Sequence, residues 1–386
     1  MAPMNIAVVG AGIAGLTAVL ALRDRGHTVT LYEAADAWAD IGAGITLSPN
    51  AMRALDAVGV GEAVYETGVE PVEQHVSHWQ DGRVLLEVDR SKTFDTYKAH
   101  YVYIHRADLH QILVAAAEQR GVTIVLGKRV TDIDCEGEGA RLLFADGSDA
   151  QADLVIGADG LKSRVRQMFD PVAPHFTGHI AFRALAPASP AIQHLVDQPG
   201  MHIGPGKMVV RYPLRKGALL NLVFFARQDG WTEDGWSIPA SPEELTALYG
   251  DWCEDIQSMI GAIQHGTLFK WAINAHSPLP NWNIADKVTL IGDAAHAMTP
   301  FLGQGAATGV EDAVMLARVL DDAASTGEAL QRYQAARHER TSFIQAESNA
   351  NADRLQGQES EMYGLGNLRN EETLGLFHYD CTTEPV

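Results

Sequence analysis

Along the N-terminal part of the chain, short continuous apolar runs alternate with segments whose apolar residues recur at helical spacing. "MNIAVVGAG" reads as a buried strand, "AGLTAVLALRDRG" as a helix and "HTVTLYEA" as a second strand, together a βαβ unit. "HRADLHQILVAAAEQRG" predicts another helix, ended by Gly121 and followed by strand-like "VTIVLG". The pattern then shifts to the every-other-residue alternation of antiparallel strands. "EQHVSHWQDGRVLLEV" places Asp81 and Gly82 at a turn, and "KMVVRYPLRKGALLNLVFFA" places Gly217 between two alternating runs. "ADLVIGADG" and "KVTLIGDAA" return to short apolar strands of the parallel type, and from Ser325 onward the pattern is helical, ending in a polar, Gly-dotted tail. The expected architecture is α/β plus β, with a Rossmann-like domain interleaved with a β-sheet domain. Residues 1–70, 101–170 and 276–324 form the first, residues 71–100 and 171–275 the second, and residues 325–386 a C-terminal helical segment and tail.

A chain of 386 residues with 46% hydrophobic content can bury a substantial core. Its 29 Lys and Arg against 49 Asp and Glu give a formal net charge of -20, which repels nucleic acid and anionic lipid, so neither is an expected partner. Cys135, Cys253 and Cys381 share no metal-like or disulfide spacing. No metal is expected. The first residues lack a basic stretch and a cleavage pattern, and no segment reaches the apolar length of a membrane span. The setting expected from these features is the reduced cytoplasm. Oligomeric state is left open, a homodimer being compatible with the sequence.

Candidate chemistry enters with the turn after the first strand. Gly10, Gly12 and Gly15 form G-x-G-x-x-G between a strand and a helix, where the glycines permit a tight turn, a close backbone approach to a pyrophosphate and close helix packing. The helix N-terminus offers free N–H groups and the positive end of its dipole to phosphate. Glu33 ends the second strand, where a carboxylate accepts hydrogen bonds from ribose hydroxyls and disfavours a 2'-phosphate on this ligand. An ordinary tight turn is the competing reading of the glycines alone. Two further strands end in aspartates: Asp159 in "DLVIGADGLKSRVR", with Ser163 and Arg166 following, and Asp293 in "LIGDAAHAMTPFLGQGAATGVEDA".

In these three ordered motifs the chain resembles the single-component flavoprotein aromatic hydroxylases, the family of salicylate, para-hydroxybenzoate and 6-hydroxynicotinate monooxygenases. The resemblance runs from Ile6 to about Asp380. It implies FAD, held through its adenosine diphosphate by the first motif, with the Asp159 motif touching FAD and the nicotinamide cofactor, NADH or NADPH. Asp293 would then meet the ribityl chain, and the turn from Pro300 to Ala306 would lie against the isoalloxazine. A helix starting near Gly305 would aim its positive end at the flavin pyrimidine edge, where reduction deposits charge. An aspartate N-cap followed by glycine turns is the bland alternative. The resemblance further implies cofactor contacts at Ala14, Ala34, Gly44, Val130, Gly303, Gln304, Gly305 and Ala306. It also places Arg106 of "HRADL" near the phosphates or flavin, against the simpler reading of a helix-starting salt bridge. Gly42 and Gly44 would let their loop approach the flavin closely. His296 is expected to have a structural role.

The resemblance implies hydroxylation of a small phenolic or hydroxypyridine ring by O2 through a flavin C4a-hydroperoxide, with loss of a ring carboxylate as a variant. The pocket is expected under the β-rich domain, where Phe182, Arg183, Arg211 and Tyr212 are candidate substrate contacts. An arginine there could pair with a ring carboxylate, and Tyr212 could hydrogen-bond a phenol, although a core tyrosine is an equally simple reading. Alternation puts Arg211 and Tyr212 on opposite faces. Tyr212, Thr46 and Pro300 are the candidate catalytic positions. Thr46 stands where 6-hydroxynicotinate enzymes carry histidine, and Lys207 and Met208 stand where a related histidine is often seen. No second complete G-x-G-x-x-G is present, so the nicotinamide cofactor is expected to dock on a groove, and a disulfide reductase is disfavoured. A flavin oxidase or dehydrogenase and a non-catalytic FAD-binding redox sensor are the alternatives.

Overall fold

The computed structural model describes residues 1–38, 43–233, 235, 237–358, 362–366 and 368–386. Two sheets organise it. The first has six strands in the order Asn283–Ile284, Val288–Leu290, Leu154–Gly157, Asn5–Val9, Thr28–Tyr32 and Thr123–Val125. Every neighbouring pair is parallel except the Asn283–Ile284 edge. The central strands are covered on both faces, which is why they read as unbroken apolar runs: all four residues of Leu154–Gly157 are buried. The helices Ile13–Arg23 and Gly305–Asp322 pack together at small residues, Ala14 Cβ lying 3.0 Å from where a side chain on Gly292 would begin and 3.1 Å from the equivalent point on Gly309.

The second sheet has eight strands, ordered Ile238–Pro239, Phe269–Ala275, His175–Pro187, Leu219–Arg227, Lys207–Leu214, Gly200–Gly204, Glu73–His78 and Val84–Asp89. Its pairs are antiparallel except Gly200–Gly204 against Glu73–His78. The two expected hairpins are present, with Gly82 at φ +71° and Gly217 at φ +84° in their turns. Ile180, Phe182, Val209, Leu222 and Phe224 face outward and pack under the helices Pro242–Tyr249 and Glu254–Gly261. Ala181, Met208, Val210, Val223 and Phe225 lie on the opposite face, together with Phe301 and the end of the long helix Thr326–Leu355. A two-stranded ribbon, Gly44–Leu47 with Val102–His105, joins the two halves. The polar tail is docked rather than loose: Arg53 Nη1 donates to Phe377 O at 2.7 Å and Tyr379 O at 3.0 Å, and Phe377 and Cys381 are fully buried.

Candidate active site

Parallel strands bring their carboxyl ends to one edge of a sheet, and here that edge gathers all three motifs. Gly10 follows Val9, Glu33 follows Tyr32, and Asp159 and Asp293 follow the next two strands across. The fit is close. A side chain on Gly10, whose φ is +103°, would begin 2.5 Å from Ala158 O and 2.8 Å from Asp159 Cα. One on Gly15 would begin 2.0 Å from Gly10 O. Above Gly12, by contrast, nothing lies within 4 Å. The first and third glycines are therefore required by the protein's own packing, while the second leaves open space at the N-terminus of the Ile13–Arg23 helix. That terminus has no side-chain cap and no acidic residue in its first turn, so its N–H groups are unclaimed. The Gly305–Asp322 helix is uncapped in the same way.

The acidic residues at this edge differ. Glu33 accepts from Ala11 N at 2.8 Å and Ala35 N at 2.9 Å, which fixes its carboxylate beside the glycine turn with lone pairs remaining. Asp159 is occupied by its own loop, accepting from the Ser163 hydroxyl, Arg164 N at 2.7 Å and Val165 N at 3.2 Å. Its carboxylate is a loop brace. Asp293 makes no hydrogen bond among the described residues. It is surface-accessible, yet burial pushes its carboxyl above the ordinary range, with His296, Arg106 and His276 opposing. Both hold for a side chain lining a cleft: protein surrounds it on the scale of charge solvation, yet solvent reaches it. Arg106 is likewise exposed; its backbone N–H donates to Ala43 O at 2.8 Å, but its guanidinium has no hydrogen-bonding partner among the described residues. Unclaimed helix amides, an unpaired carboxylate and an unpaired guanidinium match the phosphates, hydroxyls and pyrimidine edge of FAD, so the residues present fit that group.

Gly303, at φ +64°, also faces open space, and Pro300, itself exposed, opens the turn before it, in which Phe301 and Leu302 are buried. Gly305 and Ala306 begin the following helix, half-buried, as Ala34 is beside Glu33. The side chain of Gln304 turns inward, donating to Ser48 Oγ at 3.1 Å and accepting from Asn50 Nδ2 at 3.0 Å, so only its backbone can face a ligand. Val130 is buried in the wall of a cavity of about 180 Å³ shared with Thr131, Arg164 and Met168. Gly42 lies outside the described residues. Gly44 is held against the second domain: a side chain there would begin 2.4 Å from Tyr212 Cε2, and Gly44 N donates to Asn221 Oδ1 at 2.8 Å.

Among the pocket candidates the sheet makes a selection. Tyr212 faces the ribbon, stacked on Tyr103 with centroids 4.6 Å apart, and Thr46 sits across the ribbon from Tyr103. Burial pushes the Tyr212 phenol well above its ordinary range, with Tyr103 adding to this and Thr46 opposing it, so the hydroxyl stays protonated at neutral pH. Arg183 shares that face. Phe182 and Arg211 do not, and they are corrections to the sequence reading. The two-residue period of their strands turns both to the outer layer, where Phe182 packs under the covering helices and Arg211 meets His202 Nδ1 at 3.1 Å. Ligand-type atoms of His202, Cys253 and Asp255 lie within 4.8 Å of one another on this outer side. The Arg211 N–H directed at His202 Nδ1 leaves Nε2 as the protonated nitrogen, 3.5 Å from Asp255, and a protonated nitrogen cannot ligate a metal. The cluster is a charge network.

Sequence reasoning missed the layer beneath the cleft. Glu311 and Asp312, both fully buried, pair with the fully buried Arg337 at 2.7 Å each, and Arg340 Nη2 adds a bond to Glu311 Oε1 at 2.8 Å. Asn50 Nδ2 links Glu311 at 2.7 Å to Gln304, and Asp312 accepts from Gly292 N at 2.9 Å and from His296 at 2.5 Å. His296 is thus structural, as expected. Arg166 reaches from the second motif to the third, donating to Ala295 O at 2.7 Å, Ala294 O at 3.1 Å and Ser277 O at 3.1 Å. The signal available was two adjacent acids inside an apolar helix and two arginines in "ARHER", which need buried partners if the pattern is helical throughout.

Comparison with known proteins agrees with this geometry. A family described as FAD binding domain matches residues 3–348. The chain is 36% identical to 3-amino-4-hydroxybenzoate 2-monooxygenase of Streptomyces cremeus, covering 88% of this chain and 85% of that one. It is 33% identical to 6-hydroxynicotinate 3-monooxygenase of Pseudomonas fluorescens, covering 90% and 91%. A solved salicylate hydroxylase substrate complex superimposes with a TM-score of 0.83 at 28% identity, covering 98% of this chain and 96% of that one. The chain belongs to the FAD-dependent aromatic hydroxylases, a family of flavoprotein monooxygenases.

Proposed function

We infer that the protein uses NADH or NADPH and O2 to hydroxylate a small phenolic or hydroxypyridine ring, in some cases with loss of a ring carboxylate. The observation that carries this reading is the convergence of the glycine turn, Glu33, Asp159 and Asp293 on one sheet edge, with Gly44 of the connecting ribbon held against Tyr212 and Asn221 of the second sheet. FAD, when bound, would supply the redox chemistry that couples oxidation of the nicotinamide cofactor to the insertion of one atom of O2 into the ring. The chain's own contribution is position and environment. The Ile13–Arg23 helix terminus and Arg106 would hold the phosphates, Glu33 the ribose and Asp293 the ribityl hydroxyls. The uncapped terminus of the Gly305–Asp322 helix would stabilise negative charge at the pyrimidine edge without adding a proton donor.

Ring chemistry falls to the sheet face above. Tyr212, protonated and held by Gly44, Tyr103 and Thr46, would donate to or relay from a substrate hydroxyl rather than act as an ionised base. Met208, Val210, Val223 and Phe225 would exclude water from the reacting oxygen. In this reading residues 1–70, 101–170 and 276–324 form the cofactor domain, residues 71–100 and 171–275 the substrate domain, and 325–386 the buttress. No helix among the described residues is long and apolar enough to cross a membrane. The test is NADH and NADPH oxidation across a panel of hydroxylated aromatic acids under 18O2, with product masses measured. A substrate-dependent product carrying one 18O supports the proposal. Flavin reduction by the aromatic compound alone, with no label incorporated, would replace it with an oxidase.

A further inference from the structure

Near the edge of the eight-stranded sheet, His75 holds a buried ring nitrogen that nothing in its own strand pair satisfies. Gln74 sends its side chain to the Tyr103 hydroxyl on the cleft side and Val76 belongs to the inner apolar cluster, so His75 between them turns to the outer face. Its side chain is 8% exposed, and Nε2 is buried with no hydrogen-bond partner among the described residues. Strand pairing sets two carboxylates around it. Glu73 lies two residues back on the same strand, and Glu87 stands directly opposite His75 on the edge strand Val84–Asp89. Ligand-type atoms of the three lie within 4.8 Å of one another. Glu73 in turn stands opposite Asp89, an arrangement of like charges that destabilises a strand pair. Asp89 is held by Ser91, whose N donates at 2.8 Å, but no lysine or arginine among the described residues comes within ion-pair distance of Glu73 or Glu87. Arg211, two strands across from His75, is directed at His202 instead.

The spacing separates a metal seat from an ordinary ion pair. His75 Nε2 stands 3.3 Å from Glu73 Oε1 and is not aligned to hydrogen-bond it, whereas a charge-assisted hydrogen bond closes to about 2.7–2.9 Å. A nitrogen and an oxygen each about 2.0–2.2 Å from a tetrahedral ion are about 3.4 Å apart, the length of one edge of the tetrahedron. Glu87 is exposed and its carboxylate has no other partner among the described residues, so it is free to swing to a third position and leave the fourth to water. We propose that Glu73, His75 and Glu87 bind a divalent transition-metal ion of the Zn2+ class, which staples the edge strand to its neighbour. An imidazole beside carboxylates selects such an ion over Mg2+ or Ca2+, whose sites are built from oxygen. The site is on the opposite side of the sheet from the cleft and does not depend on the hydroxylase reading. Linear spacing could not reveal it, because Glu87 joins Glu73 and His75 only through strand pairing.

The test uses the FAD-loaded full chain, stripped with a chelator and then titrated with ZnCl2 by calorimetry in excess Mg2+. A single tight zinc site per chain is expected. Even a residue that only orients a metal ligand is worth about 10–100-fold in affinity, so His75→Gln should weaken zinc binding by about a hundredfold or more and Glu87→Gln by about tenfold or more. Cys253→Ala should bind zinc as the parent does. Zinc-edge X-ray absorption should show nitrogen and oxygen at about 2.0–2.2 Å and no sulfur near about 2.3 Å. Zinc should slow hydrogen exchange of the Val84–Asp89 amides in the parent and leave them unchanged in Glu87→Gln. Glu87 is exposed, so its zinc-free variant should melt no lower than the parent; Glu73→Gln is the second surface variant and should lose zinc in the same way. No zinc retained, displacement by Mg2+, a sulfur ligand, or an affinity that survives His75→Gln and both glutamate substitutions would each overturn the proposal.

Discussion

Two alanine substitutions in one turn should separate a glycine that serves the ligand from one that serves the fold. Gly15→Ala puts a methyl 2.0 Å from Gly10 O and 3.2 Å from Ala158 Cβ, both fixed by the central strands. The helix would have to lift off the sheet, an overpacking cost of at least about 3 kcal/mol. For a chain of this size that is a melting temperature lower by about 4 °C or more in the apoprotein. Gly12→Ala meets nothing within 4 Å, and its φ of −72° suits any residue. Its apoprotein should be as stable as the parent or more stable by about 0.4–1 kcal/mol, through the stiffer unfolded chain. Yet the new methyl occupies the space above the uncapped amides, where the pyrophosphate would come. Losing one charge-assisted hydrogen bond, about 1.5–3 kcal/mol, weakens FAD binding by roughly ten- to a hundredfold. Apoprotein melting curves and FAD titration by flavin fluorescence read the two effects independently. Unchanged FAD affinity in Gly12→Ala, or destabilisation of its apoprotein to the level of Gly15→Ala, would refute the assignment of that space to the cofactor.

Asp293→Ala should weaken FAD binding about tenfold, the scale of a hydrogen bond to a charged group. Because the folded carboxyl titrates above its unfolded value, it costs apoprotein stability as pH rises from below 3.8 through the raised value, so at neutral pH the variant without FAD should be at least as stable as the parent; a less stable apoprotein would contradict an unpaired Asp293. Arg337→Met leaves Glu311 and Asp312 buried without their principal partner and should cost about 3–5 kcal/mol, read by urea denaturation. Glu311 and Asp312 both titrate below their unfolded values, so their contribution is present above pH 4.5 and is lost as pH falls through the lowered folded values. The parent should lose stability on that acid limb more steeply than the variant, and equal limbs would argue against the pairing. Tyr212→Phe should lower kcat for ring hydroxylation more than it raises the FAD dissociation constant, and unchanged turnover would return Tyr212 to the aromatic cluster it shares with Tyr103 and Phe377.

The cofactor half of the protein was legible because parallel strands leave a strong trace. Each is a short apolar run ending in a residue with chemistry, and Gly10, Glu33, Asp159 and Asp293 all end up on one edge for that reason. What the sequence could not tell was which of those groups the protein uses for itself. Asp159 and Gln304 look like ligand contacts in the linear pattern, but their side chains are consumed by Ser163 and by Ser48 and Asn50. The eight-stranded sheet was harder. Alternation separates Arg211 from Tyr212 but does not say which face looks inward, since both faces of this sheet are buried, one by helices and one by the other domain. Phe182 and Arg211 were misplaced on that account, and Arg183 could not be told from Arg211. The Glu311, Asp312 and Arg337 network spans contacts 25 and 26 residues apart along two helices, beyond what local spacing can indicate.

The account depends on one FAD spanning the edge of the six-stranded sheet, and a crystal structure of the FAD complex measures this directly. It should show the pyrophosphate over Gly12, the ribityl hydroxyls at Asp293 and the isoalloxazine between Gly44 and the Gly303–Gly305 turn. A flavin bound elsewhere, or one whose adenosine end occupies the Asp293 side, would contradict it.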